Sequence, residues 1–132
     1  MIFVDSSFWI GYGMHADGRH DEALRIYNAY SSPSLVTTNL VRGETWTFLR
    51  RRSGHGAGVD FLDRIESSAR VEVVFVSPEL EEESLRWLRR HDEREYSFVD
   101  ATSFAVMRRL RIHDAFAFDG DFAAAGFNEL RA

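Results

Sequence analysis

An uninterrupted apolar run, Ala115–Phe118, ends directly at the acidic turn Asp119-Gly120-Asp121. A strand without a polar position is typical of the interior of a parallel sheet, which helices cover on both faces. Acidic residues that follow such a strand lie at the carboxyl edge of an open α/β sheet, where these folds build their sites. The run therefore predicts an α/β domain with a site near Asp119.

The rest of the chain alternates short apolar segments with helical patterns, which predicts a mainly parallel sheet. The other predicted strands are Met1–Val4, Leu35–Thr37, Val71–Val76 and a last edge strand at Phe127–Leu130. Helices are predicted over residues 39–52 and 98–112, with a short helical turn at 122–125. The 132 residues fall within the usual size of one domain, so 1–132 is predicted to be a single domain.

Three more carboxylates occupy positions where an ionised side chain is costly to place. Asp5 ends the first predicted strand, and Asp100 lies on the apolar face of its helix. The predicted core face of helix 39–52 comprises Leu40, Val41, Phe48 and Leu49. Glu44 falls midway between Leu40 and Phe48 at four-residue steps, so we expect it to face the core with them. Several carboxylates gathered in one buried region repel each other unless a positive charge lies among them.

A bound magnesium or manganese ion can supply the positive charge that these carboxylates need. The chain contains no lysine, and all sixteen basic residues are arginine. No arginine shares a helix face with the acids, although one from elsewhere in the chain could lie over them. A hard divalent cation held by carboxylate oxygens removes the conflict. Such a centre is typical of enzymes that hydrolyse phosphodiester bonds with metal-activated water.

Three of the four acids also have a purely structural interpretation. Asp100 stands three residues after Ser97 and can complete a capping box. Asp5 can cap a helix, and Asp119-Gly120 can form a turn. Glu44 has no comparable explanation, so the four acids together favour the metal centre.

Four segments in chain order resemble PIN-domain ribonucleases, and specifically the VapC-like toxins of bacterial type II toxin–antitoxin pairs. They are IFVDSS, VRGET, SFVDATSFAVM and AFAFDGDF, and they extend over essentially the whole chain. The resemblance implies a PIN-like three-layer fold with a mainly parallel five-stranded sheet between helices. It also implies a Mg²⁺- or Mn²⁺-dependent endoribonuclease, a homodimer, and a VapB-like antitoxin that blocks the site.

The same resemblance assigns the family's catalytic acids to Asp5, Glu44, Asp100 and Asp119. Asp5, Asp100 and Asp119 are the expected metal ligands. Glu44 and Asp121 are possible additional ligands.

The chain departs from many relatives two residues before the fourth acid. Those relatives carry Ser or Thr there, whereas this chain has Ala117. A hydroxyl that would help to hold a water molecule at the metal is therefore missing. Ser6 and Ser103 are the candidates to supply it.

The net charge of −5 predicts no general affinity for nucleic acid. Local basic clusters remain candidates for contact with the RNA backbone, above all Arg50, Arg51 and Arg52, and also the segment RWLRRHDER. The absence of cysteine, of a leader-like N-terminus and of a long apolar run predicts a cytoplasmic protein without membrane contact. The alternative function is a non-catalytic PIN-like module that binds RNA or protein.

Overall fold

A five-stranded sheet with all strands parallel forms the centre of the computed structural model, which describes residues 1–132. The strands are β1 Ile2–Val4, β2 Leu35–Thr38, β3 Val71–Val74, β4 Asp114–Phe116 and β5 Asn128–Glu129, in the spatial order β3-β2-β1-β4-β5. The helices are α1 Ser6–Gly13, α2 His20–Ala29, α3 Asn39–Ser53, α4 His55–Ser67, α5 Pro78–Arg90, α6 Phe98–Leu110 and α7 Asp121–Ala124. None of the seven helices combines the length and apolarity needed to cross a bilayer.

The parallel register brings the carboxyl ends of the central strands to one edge of the sheet. Phe3 of β1 lies opposite Val36 of β2 on one side and Ala115 of β4 on the other. The residues that follow these strands therefore meet at the same edge. Asp5 directly follows β1, and its backbone N–H donates to the carbonyl of Phe116 at 3.0 Å, which joins the two strand ends.

Two strands end earlier than the apolar patterns predicted, because side chains take over their hydrogen bonds. The N–H of Phe118 donates to the hydroxyl of Ser7 at 3.1 Å. The N–H of Val76 donates to the side chain of Asn39 at 2.9 Å. Both contacts fasten the end of a strand to the first turn of a helix at the site edge.

Aromatic and aliphatic side chains fill the space between the sheet and α6. Residues Ala101–Met107 of α6 are all buried, which is why this helix reads as apolar over nearly two turns. Phe104 meets Phe122 edge to face with ring centroids 4.9 Å apart, and Phe122 stacks on Phe3 at 5.9 Å. The tight packing makes α6 a rigid support for the acid near its start.

The predicted core face of α3 is confirmed at Val41 and Leu49, which are buried. Thr45 is buried between them, and its hydroxyl donates to the Val41 carbonyl at 2.8 Å. Leu40 and Phe48 are only half-buried, and Glu44 between them is exposed. The sequence pattern missed Thr45 because it is polar, although its hydroxyl bonds within the helix.

Candidate metal centre

Three carboxylates from two neighbouring segments meet at the carboxyl edge of the sheet. One oxygen each from Asp100, Asp119 and Asp121 lies within 4.8 Å of the other two. Asp100 comes from the first turn of α6, and the other two flank the turn between β4 and α7. The side chains converge on a space that suits a single ion with oxygen ligands.

Asp100 is fixed by the cap of its own helix. The Ser97 hydroxyl accepts the N–H of Asp100 at 2.9 Å, and Asp100 Oδ2 accepts the N–H of Ser97 at 3.0 Å. Burial raises the pKa of Asp100 to about 6, and the negative charges of Asp119 and Asp121 add to the shift. The capping box uses one oxygen, so the structural and the metal-binding interpretations are compatible.

Gly120 shapes the turn that presents Asp119 and Asp121. Its φ of 82° lies in the left-handed region, which favours glycine. Asp119 Oδ1 accepts the N–H of Asp121 at 3.2 Å, which closes the turn. Burial and the neighbouring charge of Asp121 raise the pKa of Asp119.

Asp5 is the most deeply buried acid of the edge, with 2% of its surface exposed. It caps α1, because its Oδ2 accepts both the N–H and the hydroxyl of Ser7, at 3.1 and 2.8 Å. Burial raises its pKa to about 7, with further increases from the charges of Asp119 and Asp100. Asp5 lies outside the set of three within 4.8 Å, yet it belongs to the same electrostatic cluster.

The prediction that Glu44 faces the core is wrong, because its side chain is exposed on α3. It nevertheless reaches the site edge, where Glu44 Oε1 accepts the Ser6 hydroxyl at 2.5 Å. Ser6 follows Asp5 directly, so this bond ties α3 to the start of α1. The Ser6 hydroxyl hydrogen is thereby occupied by Glu44, which the sequence did not indicate.

Ser103 is buried one turn beyond Asp100 on α6, and its hydroxyl has no hydrogen-bond partner in the protein. Buried hydroxyls normally have a partner. Ala117, two residues before Asp119, is buried and offers no hydroxyl. The Ser6 hydroxyl already donates to Glu44, so Ser103 is the one of the two candidates without a partner in the protein.

Arg94 is a site residue that the motifs did not identify. Its Nε donates to Asp121 Oδ1 at 2.9 Å from the segment between α5 and α6. It belongs to the Arg-rich segment RWLRRHDER, and this membership is the only sequence signal that pointed to it.

The charge balance of the edge fits a divalent cation. The edge carries one arginine, Arg94, and four aspartates, Asp5, Asp100, Asp119 and Asp121. The pKa values of the first three aspartates are raised. A raised pKa means that the folded protein disfavours the ionised form. A cation with oxygen ligands would relieve this repulsion, and Asp100, Asp119 and Asp121 are spaced to hold it.

Arg50, Arg51 and Arg52 lie exposed on the last turn of α3. Arg51 and Arg52 line an open groove that also includes Glu44 and Phe98, so the groove borders the site. Contact between these three arginines and RNA remains a prediction.

The most enclosed cavity of the molecule, about 380 Å³, lies elsewhere. Its walls include Trp9, Tyr12, Tyr27 and Phe61, and none of the site acids contributes to it. This cavity is therefore separate from the acidic edge.

Comparison with known proteins shows the family of the chain. The PIN domain family matches residues 2–128. The chain belongs to the PIN-domain family, as a VapC-like ribonuclease toxin. It is 56% identical over 131 residues to the 23S rRNA-specific endonuclease VapC20 of Mycobacterium tuberculosis, in strains CDC 1551 / Oshkosh and H37Rv, covering 99% of this chain and 98% of each relative.

A solved structure gives the same result for the fold. The crystal structure of Mycobacterium tuberculosis VapC20, described as a sarcin-ricin loop cleaving toxin, superposes with a TM-score of 0.95 at 54% identity, and each chain is covered completely. The predicted α/β fold, the VapC-like family and the endoribonuclease activity of this PIN-domain protein are thereby confirmed.

Proposed function

We propose that this PIN-domain ribonuclease cleaves the sarcin–ricin loop of 23S ribosomal RNA with the help of Mg²⁺ or Mn²⁺. The observation that carries the proposal is the convergence of Asp100, Asp119 and Asp121 within 4.8 Å on a scaffold closely similar to that of VapC20. VapC20 is named for 23S rRNA and described as cleaving the sarcin-ricin loop.

Asp100 and Asp119 would hold the ion, with Asp121 and Asp5 close by and Glu44 at the edge of the site. Rigid α6 and the Gly120 turn keep the first two in place, so little reorganisation is needed when the ion binds. When bound, the cation supplies a water of lowered pKa and neutralises charge on the phosphate oxygens.

The remaining residues hold the elements of the site edge in place. Asp5 holds the start of α1 through Ser7, whose hydroxyl also accepts the N–H of Phe118 just before Asp119. Ser6 orients the Glu44 carboxylate towards the same edge. Hydrolysis forms a new P–O bond from water and breaks the bond to the leaving ribose oxygen, which takes up a proton.

The proposal includes a homodimer and a VapB-like antitoxin that blocks the site, acting in the cytoplasm where ribosomes are found. Light scattering of the purified chain tests the dimer. Genetic or physical pairing with a small neighbouring protein tests the antitoxin.

The decisive experiment is cleavage of a synthetic RNA hairpin that carries the sarcin–ricin loop. Purified protein free of antitoxin is incubated with Mn²⁺, with Mg²⁺ or with chelator, and a hairpin with a scrambled loop serves as the substrate control. Asp100→Asn tests the site. Asp63→Asn, an exposed acid on α4, is the matched control.

Cleavage that requires metal, depends on the loop sequence and disappears only in Asp100→Asn supports the proposal. Equal cleavage of both hairpins keeps the nuclease and rejects the target. A folded wild-type protein that binds RNA without cutting any of these substrates favours the alternative, a non-catalytic PIN-like module.

A further inference from the structure

Arg94 is the single basic side chain in contact with the acidic edge. Its Nε lies 2.9 Å from Asp121 Oδ1, and its Nη2 lies 3.5 Å from the carbonyl oxygen of Asp119. The other ion pairs of the protein join Arg or His side chains to Glu22, Glu83, Glu93 and Glu129, and none includes an aspartate of the site. Arg94 is therefore the one arginine that is paired with a site acid.

The segment that carries Arg94 is anchored on both sides. The His91 ring stacks on Trp87 with centroids 4.1 Å apart, and the Tyr96 ring meets Trp87 at 4.8 Å. The N–H of Tyr96 also donates to the Arg94 carbonyl at 2.9 Å. These contacts hold the backbone of the segment against α5 and direct the guanidinium over the turn at Gly120.

The contacts of the guanidinium leave one of its edges free. Nε and Nη2 face the turn, whereas Nη1 has no acceptor in the protein. The Arg94 side chain is 42% exposed, so a ligand that lies over the acidic edge can reach it. A guanidinium keeps its charge at any working pH and donates in a fixed plane that matches phosphate oxygens.

We propose that Arg94 donates through Nη1 to a non-bridging oxygen of the scissile phosphate, while Asp121 orients it. The inference builds on the proposed function. During hydrolysis the phosphate gains negative charge as water attacks phosphorus and the leaving ribose oxygen departs with a proton. Arg94 stays protonated throughout and stabilises that charge, in a place where the surrounding aspartates would repel the RNA backbone.

A different role makes opposite predictions. If Arg94 only neutralises Asp121, it competes with the cation for that carboxylate. Removing it would then tighten Mn²⁺ binding and raise cleavage at limiting metal. A phosphate contact, in contrast, leaves the affinity for Mn²⁺ nearly unchanged and lowers turnover.

The test compares Arg94→Gln and Arg94→Lys with Arg25→Gln, an exposed arginine of α2 that makes no ion pair. We expect Arg94→Gln to lower kcat on the sarcin–ricin hairpin by roughly 100-fold, as for loss of one charge-stabilising donor. Its Kd for Mn²⁺, measured by calorimetry without RNA, should stay within about twofold, because the expected ligands remain. Arg94→Lys should recover part of kcat, since it keeps the charge but not the fork, and Arg25→Gln should match the wild type.

Three results would overturn the inference. The first is wild-type kcat in Arg94→Gln. The second is tighter Mn²⁺ binding with equal or faster cleavage, and the third is a loss of kcat that follows weaker Mn²⁺ binding and a lower melting temperature. If the wild type binds the hairpin but does not cut it, the proposed function fails instead, and RNA affinity in chelator then decides: an unchanged affinity in Arg94→Gln excludes the phosphate contact.

Discussion

The buried acids and the surface acids of the site are held by different means. Asp5 and Asp100 are nearly inaccessible and are fixed by caps formed with Ser7 and Ser97, two and three residues away in the chain. Glu44 is exposed and is held by Ser6, which is 38 residues distant.

The two turn acids are held by different means. Asp119 is held locally, by the N–H of Asp121 two residues away, whereas Asp121 is held by Arg94, 27 residues distant. Local contacts thus hold the three acids whose pKa is raised, and tertiary contacts hold Glu44 and Asp121.

The largest effect is expected at a buried acid. Asp5→Asn should reduce cleavage by about 100-fold or more, because a carboxylate is lost from the cation's surroundings. In chelator at pH 8, however, the same variant should melt at a higher temperature than the wild type. Burial disfavours the charge of Asp5, and asparagine can still cap α1.

Cleavage assays and thermal melts measure both effects. Glu44→Gln is the surface counterpart and should change the melting temperature in chelator little. A lower melting temperature for Asp5→Asn in chelator would show that the Asp5 charge stabilises the fold, contrary to this comparison.

The pH dependence of stability should also show that the Asp5 charge is unfavourable in the folded protein. The pKa of Asp5 is about 7 in the folded protein and near 3.8 in the unfolded chain, so the folded state binds more protons between these values. The metal-free protein should therefore lose stability as pH rises from about 4 to 7. Mn²⁺ binds the deprotonated carboxylates, so its stabilising effect should grow over that range.

Melting temperatures in chelator and in Mn²⁺ across this pH range provide the test. Asp5→Asn should flatten the metal-free profile, which separates Asp5 from the other titrating groups. An identical slope in the variant and the wild type would remove Asp5 as the cause.

A smaller effect is expected at Ser103. Its buried hydroxyl has no partner, so Ser103→Ala should leave the free energy of unfolding within about 0.5 kcal/mol of the wild type, while the affinity for Mn²⁺ falls. Ser84→Ala is the matched control, because the buried Ser84 hydroxyl donates to the Leu80 carbonyl at 2.7 Å. That control should lose about 1 kcal/mol and keep its metal affinity.

Chemical denaturation and calorimetry would measure these two changes. Unchanged Mn²⁺ affinity in Ser103→Ala would leave Ser103 as a packing residue only.

The smallest effect is expected for the link between α1 and α3. Ser6→Ala removes the hydrogen bond to the exposed Glu44, so cleavage should fall by less than about tenfold, since a typical hydrogen bond contributes about 1 kcal/mol. Steady-state kinetics with the hairpin measures this change. A loss as large as that of Asp5→Asn would mean that Glu44 depends on Ser6 as strictly as a buried acid depends on its cap.

The sequence by itself determined where the strands lie, that they run parallel, and that Asp5 and Asp119 follow two of them. Apolar runs mark the buried strands, and parallel strands bring Asp5 and Asp119 to one edge however the connecting loops are folded. The capping box at Ser97 and Asp100 is equally local, because a cap involves residues within one turn.

Only the tertiary structure decided the rest of the site. The exposure of Glu44 depends on whether α3 packs through Val41 and Leu49 or through the neighbouring stripe, and the two stripes differ by one residue. Arg94 lies in the segment between α5 and α6. A connecting segment has no helical or strand periodicity, so its sequence does not indicate which surface a side chain will reach. Residues far apart in the chain meet only when whole elements pack, so no local pattern records their contact.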